Sequence, residues 1–214
     1  MGNEKVLIDA LIKTMAELVD YHDGNMGGHI DRTQKGIKIF YEEMEKQNVY
    51  REEIKKLDLD MLLQSCMLYD VGKICIKDSI LNKPGRLTNE EFSEMKKHVI
   101  YGENILEKIE ISAGKSEFLE QAKAFTGTHH EKWDGSGYPR GLEGEEIPLL
   151  GRIVAIIDVY DALTSVRPYK DAFTHAQAVE IITETGGNMF DPALVEIFKN
   201  VSDRFKSVSE RPKA

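Results

Sequence analysis

Apolar residues recur along this chain with a helical period almost from end to end. Between residues 4 and 22 they fall at Leu7, Ala10, Leu11, Met15, Leu18 and Val19, which predicts an amphipathic helix. Residues 27–47 repeat the pattern with Ile30, Thr33, Ile37, Phe40, Tyr41 and Met44. A third helix is predicted over about 52–71, through Leu57, Met61, Leu62, Met67 and Leu68. Thr88 and Glu91 form a capping-box pair that opens a helix ending at His98. Residues 99–111 and 115–129 give one further helix each. Residues 150–165, LGRIVAIIDVYDALTS, are apolar nearly all round, as in a buried helix. Thr174 and Gln177 make a second capping box. Asp191-Pro192 reads as an N-cap with proline at the first helical position, opening a last helix to about 204. Residues 205–214 read as a polar tail.

One segment breaks the rhythm. Residues 132–150 carry Gly135, Gly137, Gly141, Gly144, Pro139 and Pro148, which predicts a long ordered loop. Loops of that length inside a compact domain are usually functional. With no alternating strand pattern, repeat or composition shift, the expectation is one all-α domain over 1–204.

Composition narrows the chemistry. The 214 residues suffice for one well-buried core, and 41% hydrophobic with 30% charged is ordinary for a soluble protein. No apolar run approaches the roughly 18 residues a membrane span needs, and no signal peptide opens the chain. Cys66 and Cys75 match no zinc or redox spacing, so a reduced, cytoplasmic protein is expected. A net charge of −9 argues against a nucleic-acid polymer as partner. A small phosphate ligand stays open, because bound metal ions and a few local cations can invert the field.

The most informative stretch is HHEKWDGSGYP, from His129 to Pro139. Imidazoles ligate metals, and glycines let backbone approach a ligand closely. Asp158 is the clearest anomaly elsewhere, since a carboxylate on a buried helix needs a partner or a metal. Asp161 follows it by one turn, and Asp70 is expected at the C-terminal end of an apolar helix, where the macrodipole disfavours an anion. A nearby cation resolves that conflict, either Lys73 or a metal. His29 opens a helix, while His22 and His175 sit in polar surroundings that suit the surface. Arg152, Arg167 and Lys170 add basic groups suited to phosphate. Imidazole mixed with carboxylate fits Fe, Mn or a similar ion better than structural zinc.

Taken in order, the segments resemble the HD-GYP family, a branch of the HD-domain metal-dependent phosphohydrolases. The match runs over roughly residues 5–200 and rests on KDSILNKPGRLTNEEFSEMKKH, HHEKWDGSGYPRGLEGEEIP, IVAIIDVYDALTSVRPYK and FDPALVEIF. The resemblance implies an all-α, HD-type helical bundle of about seven to eight helices. It implies hydrolysis of cyclic di-GMP, to the linear dinucleotide or GMP, by a metal-bridging hydroxide attacking phosphorus. One or two divalent ions are implied, with Fe or Mn favoured. His29, Asp70, His98, His129, His130 and Asp158 stand at the family's ligand positions, with Asp70 as the bridge. Asp70 and Lys73 take catalytic roles by the same resemblance. Lys73, Arg167 and Lys170 stand where the family places phosphate-facing or site-supporting cations. Gly137, Tyr138 and Pro139 would shape the substrate pocket and offer a docking surface for a GGDEF-type cyclase or another signalling domain. A homodimer is a further expectation.

Two departures alter that reading. Tyr69 replaces the histidine of the HD dyad, and Asn25 replaces the glutamate that trinuclear members carry four residues before His29. A phenol with a pKa of about 10 is a poorer ligand than imidazole at neutral pH, although a strongly acidic ferric ion can recruit it as phenolate. Loss of a third metal and weakening of one of the other two are expected. Three readings follow: an active phosphodiesterase tolerating Tyr69, a degenerate module that binds cyclic di-GMP or a cyclase, and a phosphohydrolase acting on another nucleotide. The complete GYP loop argues against the third, whereas Tyr69 and Asn25 are what favour the second.

Overall fold

The segment most apolar in sequence lies at the centre of the molecule. The computed structural model describes residues 2–24, 28–165 and 172–209. Its helices are α1 (Gly2–His22), α2 (His29–Gln47), α3 (Arg51–Ile54), α4 (Leu59–Ser65), α5 (Asp78–Leu81) and α6 (Asn89–Lys96). They continue as α7 (His98–Ala113), α8 (Glu117–Thr128), α9 (Leu149–Thr164), α10 (His175–Glu184) and α11 (Pro192–Ser209). No strand forms among the described residues, only the isolated bridges Asp134–Glu143 and Gly186–Phe190. The all-α expectation holds.

Helix α9 packs against α2, α8, α10 and α11. Its Ile153, Val154, Ile156 and Ile157 meet Ile37, Phe40 and Met44 of α2 and Leu194, Phe198 and Val201 of α11 in one core. Phe40, Tyr160, Phe198 and Phe205 form an aromatic cluster, with Phe198 and Phe205 centroids 5.2 Å apart. Each fully buried side chain of this size contributes about 1.5–3 kcal/mol. The last helix therefore runs on to Ser209, because Phe205 is a core residue rather than part of a polar tail. Capping boxes form at Thr88 and Thr174 as predicted, and Asp191 Oδ1 accepts from Ala193 N at 2.9 Å.

Three expectations are corrected. The helix predicted over 52–71 is broken into α3, α4 and two 3₁₀ turns, Cys66–Leu68 and Val71–Cys75. Asp58 starts α4 afresh by accepting from Met61 N, and Asp70 occupies the joint between the 3₁₀ turns rather than a helix end. His98 does not end a helix but begins α7, with Lys97 as the single residue linking it to α6. The stripe read on α1 points outward: Leu7, Leu11, Met15 and Leu18 are exposed, while Ala16 and Val19 are buried.

The joint at Asp70 is held close to α7 by two glycines. A Cβ on Gly72 would lie 1.9 Å from the His98 carbonyl oxygen and 2.4 Å from Gly102 N. A Cβ on Gly102 would lie 2.4 Å from the Thr126 methyl of α8. Only glycine permits this spacing, and it brings Asp70, His98 and His129 to one point.

Candidate metal centre

His98, at the first turn of α7, turns its Nδ1 to the Met95 carbonyl at 2.7 Å. His129 caps the end of α8 and turns its Nδ1 to the carbonyls of Thr126 and Phe125, at 2.9 and 3.1 Å. A carbonyl only accepts, so both rings carry their proton on Nδ1 and leave a lone pair on Nε2. Those two Nε2 atoms lie 3.2 Å apart. Asp70 Oδ1 approaches them at 3.4 and 3.5 Å, is buried, and has no hydrogen-bond partner among the described residues. Three lone pairs thus converge on one spot away from water. An extra proton on one ring relieves part of this repulsion; a divalent cation relieves all of it and fits the N/O donor set.

His130 completes that group. Ligand atoms of His98, His129 and His130 lie within 4.8 Å of one another. Burial, reinforced by the neighbouring His129 and His98 imidazoles, holds the His130 pKa well below its ordinary value. Burial brings His98 down to about 4. Both are therefore neutral at pH 7, the form that ligates. A cation at the start of α7 is also opposed by the helix dipole.

The second group joins His29, Asp70 and Asp158, again within 4.8 Å. His29 Nδ1 donates to Asp161 Oδ2 at 2.7 Å, and Arg32 braces the same carboxylate. Burial would raise the Asp161 pKa, but His29 and Arg32 outweigh it and bring it to about 2. Burial would lower His29, but the Asp161 bond and the charge on Asp158 hold it above its usual value. A carboxylate–histidine pair of this kind fixes the ring for metal binding at the other nitrogen. His29 Nε2 stands 3.9 Å from Asp158 Oδ1, and Tyr69 Oη lies between them. The Tyr69 hydroxyl donates to Asp158 Oδ1 at 3.1 Å. Burial pushes the Tyr69 pKa well up, so it remains a phenol among these carboxylates. The dyad tyrosine thus sits inside the second donor set.

Lys73 is enclosed rather than presented to the outside. Its Nζ contacts Asp70 Oδ2 at 2.8 Å and Asp23 Oδ2 at 2.9 Å. Burial opposes its charge, and the two carboxylates overcome that and raise its pKa. By holding Oδ2, Lys73 turns Oδ1 toward the histidines.

The glycine-rich loop covers the first group. The Tyr138 ring lies over His130 at 4.7 Å and 31°, and Phe92 meets Tyr138 edge-on at 6.4 Å. Lys96 stands over both rings, at 5.4 and 5.8 Å. A Cβ on Gly137 would lie 2.3 Å from Lys132 N, so the loop folds directly back on its own entry. Glu131, buried, accepts from Arg140 N at 2.8 Å and Leu142 N at 3.1 Å. Arg140 in turn grips Glu103 at 2.6 Å.

The structure therefore unites His29, Asp70, His98, His129, His130 and Asp158, with Lys73 and Tyr138 against them and Gly137 and Pro139 flanking Tyr138 in the covering loop. Arg152 is elsewhere: it is buried against Asp191 at 2.8 Å, beneath Tyr50. His22 pairs with Asp78 and His175 Nδ1 shares a hydrogen bond with the Tyr160 hydroxyl, both outside the cluster. Asn25, Arg167 and Lys170 lie outside the described residues. Sequence reasoning missed the loop anchor Glu131 and the brace Arg32. Asp161 was marked only by its one-turn spacing from Asp158, without its bond to His29.

Residues 13–194 match the HD domain family. The chain belongs to that family, and the His129–Pro139 motif places it in the HD-GYP branch. It is 45% identical over 205 residues to a cyclic di-GMP phosphodiesterase of Vibrio cholerae serotype O1, covering 96% of this chain and 42% of the relative. A 3'3'-cGAMP-specific phosphodiesterase 2 of the same organism is 38% identical over 198 residues, covering 92% and 35%. The crystal structure of a V. cholerae cyclic GMP-AMP specific phosphodiesterase shares the fold, with a TM-score of 0.55, 21% identity, and coverage of 94% of this chain and 51% of that one. The chain thus spans less than half the length of these two curated relatives. No helix among the described residues is long and apolar enough to cross a membrane.

Proposed function

We propose that this chain is a metal-dependent phosphodiesterase that opens cyclic di-GMP, with Fe or Mn as the ion. The observation that carries the reading is the convergence of His98 Nε2, His129 Nε2 and the unpartnered Asp70 Oδ1. His130 completes this first set, while His29 and Asp158 share Asp70 with it to form a second. A bound divalent ion supplies Lewis acidity toward the phosphodiester and lowers the pKa of water.

The chain's own residues do the rest. Lys73 is a positioning residue that aims Asp70 and offsets the negative charge of the centre. Tyr138 and Phe92 offer aromatic faces on which a guanine can stack, and Lys96 adds a cation beside them. Arg167 and Lys170 carry phosphate contacts in this reading. The same loop is a docking surface for a GGDEF-type cyclase, and the chain works as a cytoplasmic homodimer.

Relatives named for two different cyclic dinucleotides make the substrate itself the test. The protein is loaded anaerobically with Fe(II) or Mn(II) and given cyclic di-GMP or 3'3'-cGAMP, and the products are separated by chromatography. Conversion of cyclic di-GMP to the linear dinucleotide or GMP, faster than that of 3'3'-cGAMP, is expected. Binding without turnover of either would replace the enzyme with a receptor, as the Tyr69 substitution allows.

A further inference from the structure

Helix α1 is apolar over two adjoining faces, and only one of them is used. Ile12, Ala16 and Val19 pack on the body of the protein, against Met67, Leu68 and Val71 among others. Polar ties flank that contact: Gln64 donates to Asp9, and Lys13 approaches Asp31 at 3.6 Å. The neighbouring face carries Ile8, Leu11, Met15 and Leu18, exposed by 55%, 55%, 42% and 59%. Their spacing is three, four, three. That is the a/d repeat of a coiled-coil seam, not the broader stripe of a core-facing helix. The a positions are Ile8 and Met15 and the d positions Leu11 and Leu18; a β-branched residue at a with leucine at d, as in the Ile8–Leu11 pair, favours parallel two-stranded pairing.

We infer that this seam is a homodimer interface, in which α1 pairs in parallel with α1 of a second copy. The area suits it. With Leu7 and Tyr21 alongside, six side chains each leave on the order of 100 Å² in water, together approaching the ~800 Å² per partner of a standard interface. The orientation follows from where the body sits. Ile12 and Val19 occupy the e positions, so each body lies on the e side of its own helix. Antiparallel pairing faces e to e and drives the two bodies into the same space. Parallel pairing faces e to g, which puts the bodies on opposite sides and covers Leu7 and Tyr21 at g. Such a two-fold contact is closed and isologous. It also places the two His29–Asp70 centres at the same end of the helix pair.

The test is independent of the reaction catalysed. The 214-residue chain is sedimented over roughly 1–100 µM, a range that brackets a micromolar dimer. A dimer is expected, and Leu11→Glu with Leu18→Glu should halve its mass while keeping the thermal midpoint, since both side chains are more than half exposed. In a Cys75→Ser background, which removes the exposed thiol, Leu18→Cys should cross-link to itself on mild oxidation. That requires the two Cα atoms to lie within about 7 Å, as they do at a parallel d position. The cross-link decides the matter even if the double variant fails to fold. A monomer at every concentration, or a dimer untouched by the double variant, overturns the interface. A dimer lost in the double variant without the cross-link overturns the parallel register.

Discussion

Asp161 accepts from His29 Nδ1 at 2.7 Å across 132 positions of sequence. The bond fixes the ring so that Nε2 faces Asp158, and Arg32 keeps the carboxylate in place. Asp161→Asn leaves an acceptor but removes its charge. Affinity for an ion at the His29–Asp158 position should fall about 10–100-fold, as loss of such an outer partner typically does. The His98–His129–His130 position should keep its ion. Metal titration with two resolved binding steps distinguishes the sites.

Tyr69 offers a protonated hydroxyl where the HD dyad offers imidazole. Tyr69→His supplies a neutral nitrogen to the same donor set. Tighter binding of a second ion is expected, read as a rise toward two metals per chain by elemental analysis. Unchanged stoichiometry would show that Tyr69 already ligates, as phenolate.

The approach of Asp70 to His98 depends on Gly72. Gly72→Ala places a methyl against the His98 carbonyl at a separation no real contact tolerates. Destabilisation of about 3 kcal/mol is expected from overpacking against backbone, lowering Tm by roughly 10 °C in a chain of this size. Calorimetry measures it, and metal content should fall in parallel.

Glu131 holds the GYP loop through two backbone N–H groups. Glu131→Gln turns an amide donor toward one of them, an unmet bond worth about 1–3 kcal/mol. KM for the dinucleotide should rise about tenfold, with metal content unchanged. Steady-state kinetics at fixed metal loading separates this effect from loss of the ion.

Most of the helices were legible because their caps are local: Thr88, Thr174 and Asp191 each bond within three residues. Asp158, Asp70 and the His129–His130 pair stood out singly as candidates, but their grouping was legible only through the family's motifs, since His29, Asp70 and Asp158 meet from positions more than forty residues apart. Spacing could not reveal that the chain tightens into the 3₁₀ turns Cys66–Leu68 and Val71–Cys75 around Asp70, where Gly72 meets α7. Nor could period alone say which apolar face of α1 turns inward. Ile12, Ala16 and Val19 face the core together with Asp9 and Lys13, whose ties to Gln64 of α4 and Asp31 of α2 the opposite assignment would lose. Asp161 and Glu131 carried no signal beyond their neighbours: the partner of Asp161 is 132 residues away, and those of Glu131 are backbone N–H groups, at Arg140 and Leu142, that no residue pattern marks.

The central claim is that Asp70, His98, His129 and His130 hold the ion on which phosphodiester cleavage depends. The most direct measurement is the turnover of cyclic di-GMP by His129→Ala, at a metal concentration that saturates the unaltered protein. The account predicts loss of one metal per chain and a fall in rate on the order of 10³, as expected when a site's Lewis acid is removed. Full metal content with undiminished turnover in that variant would contradict it.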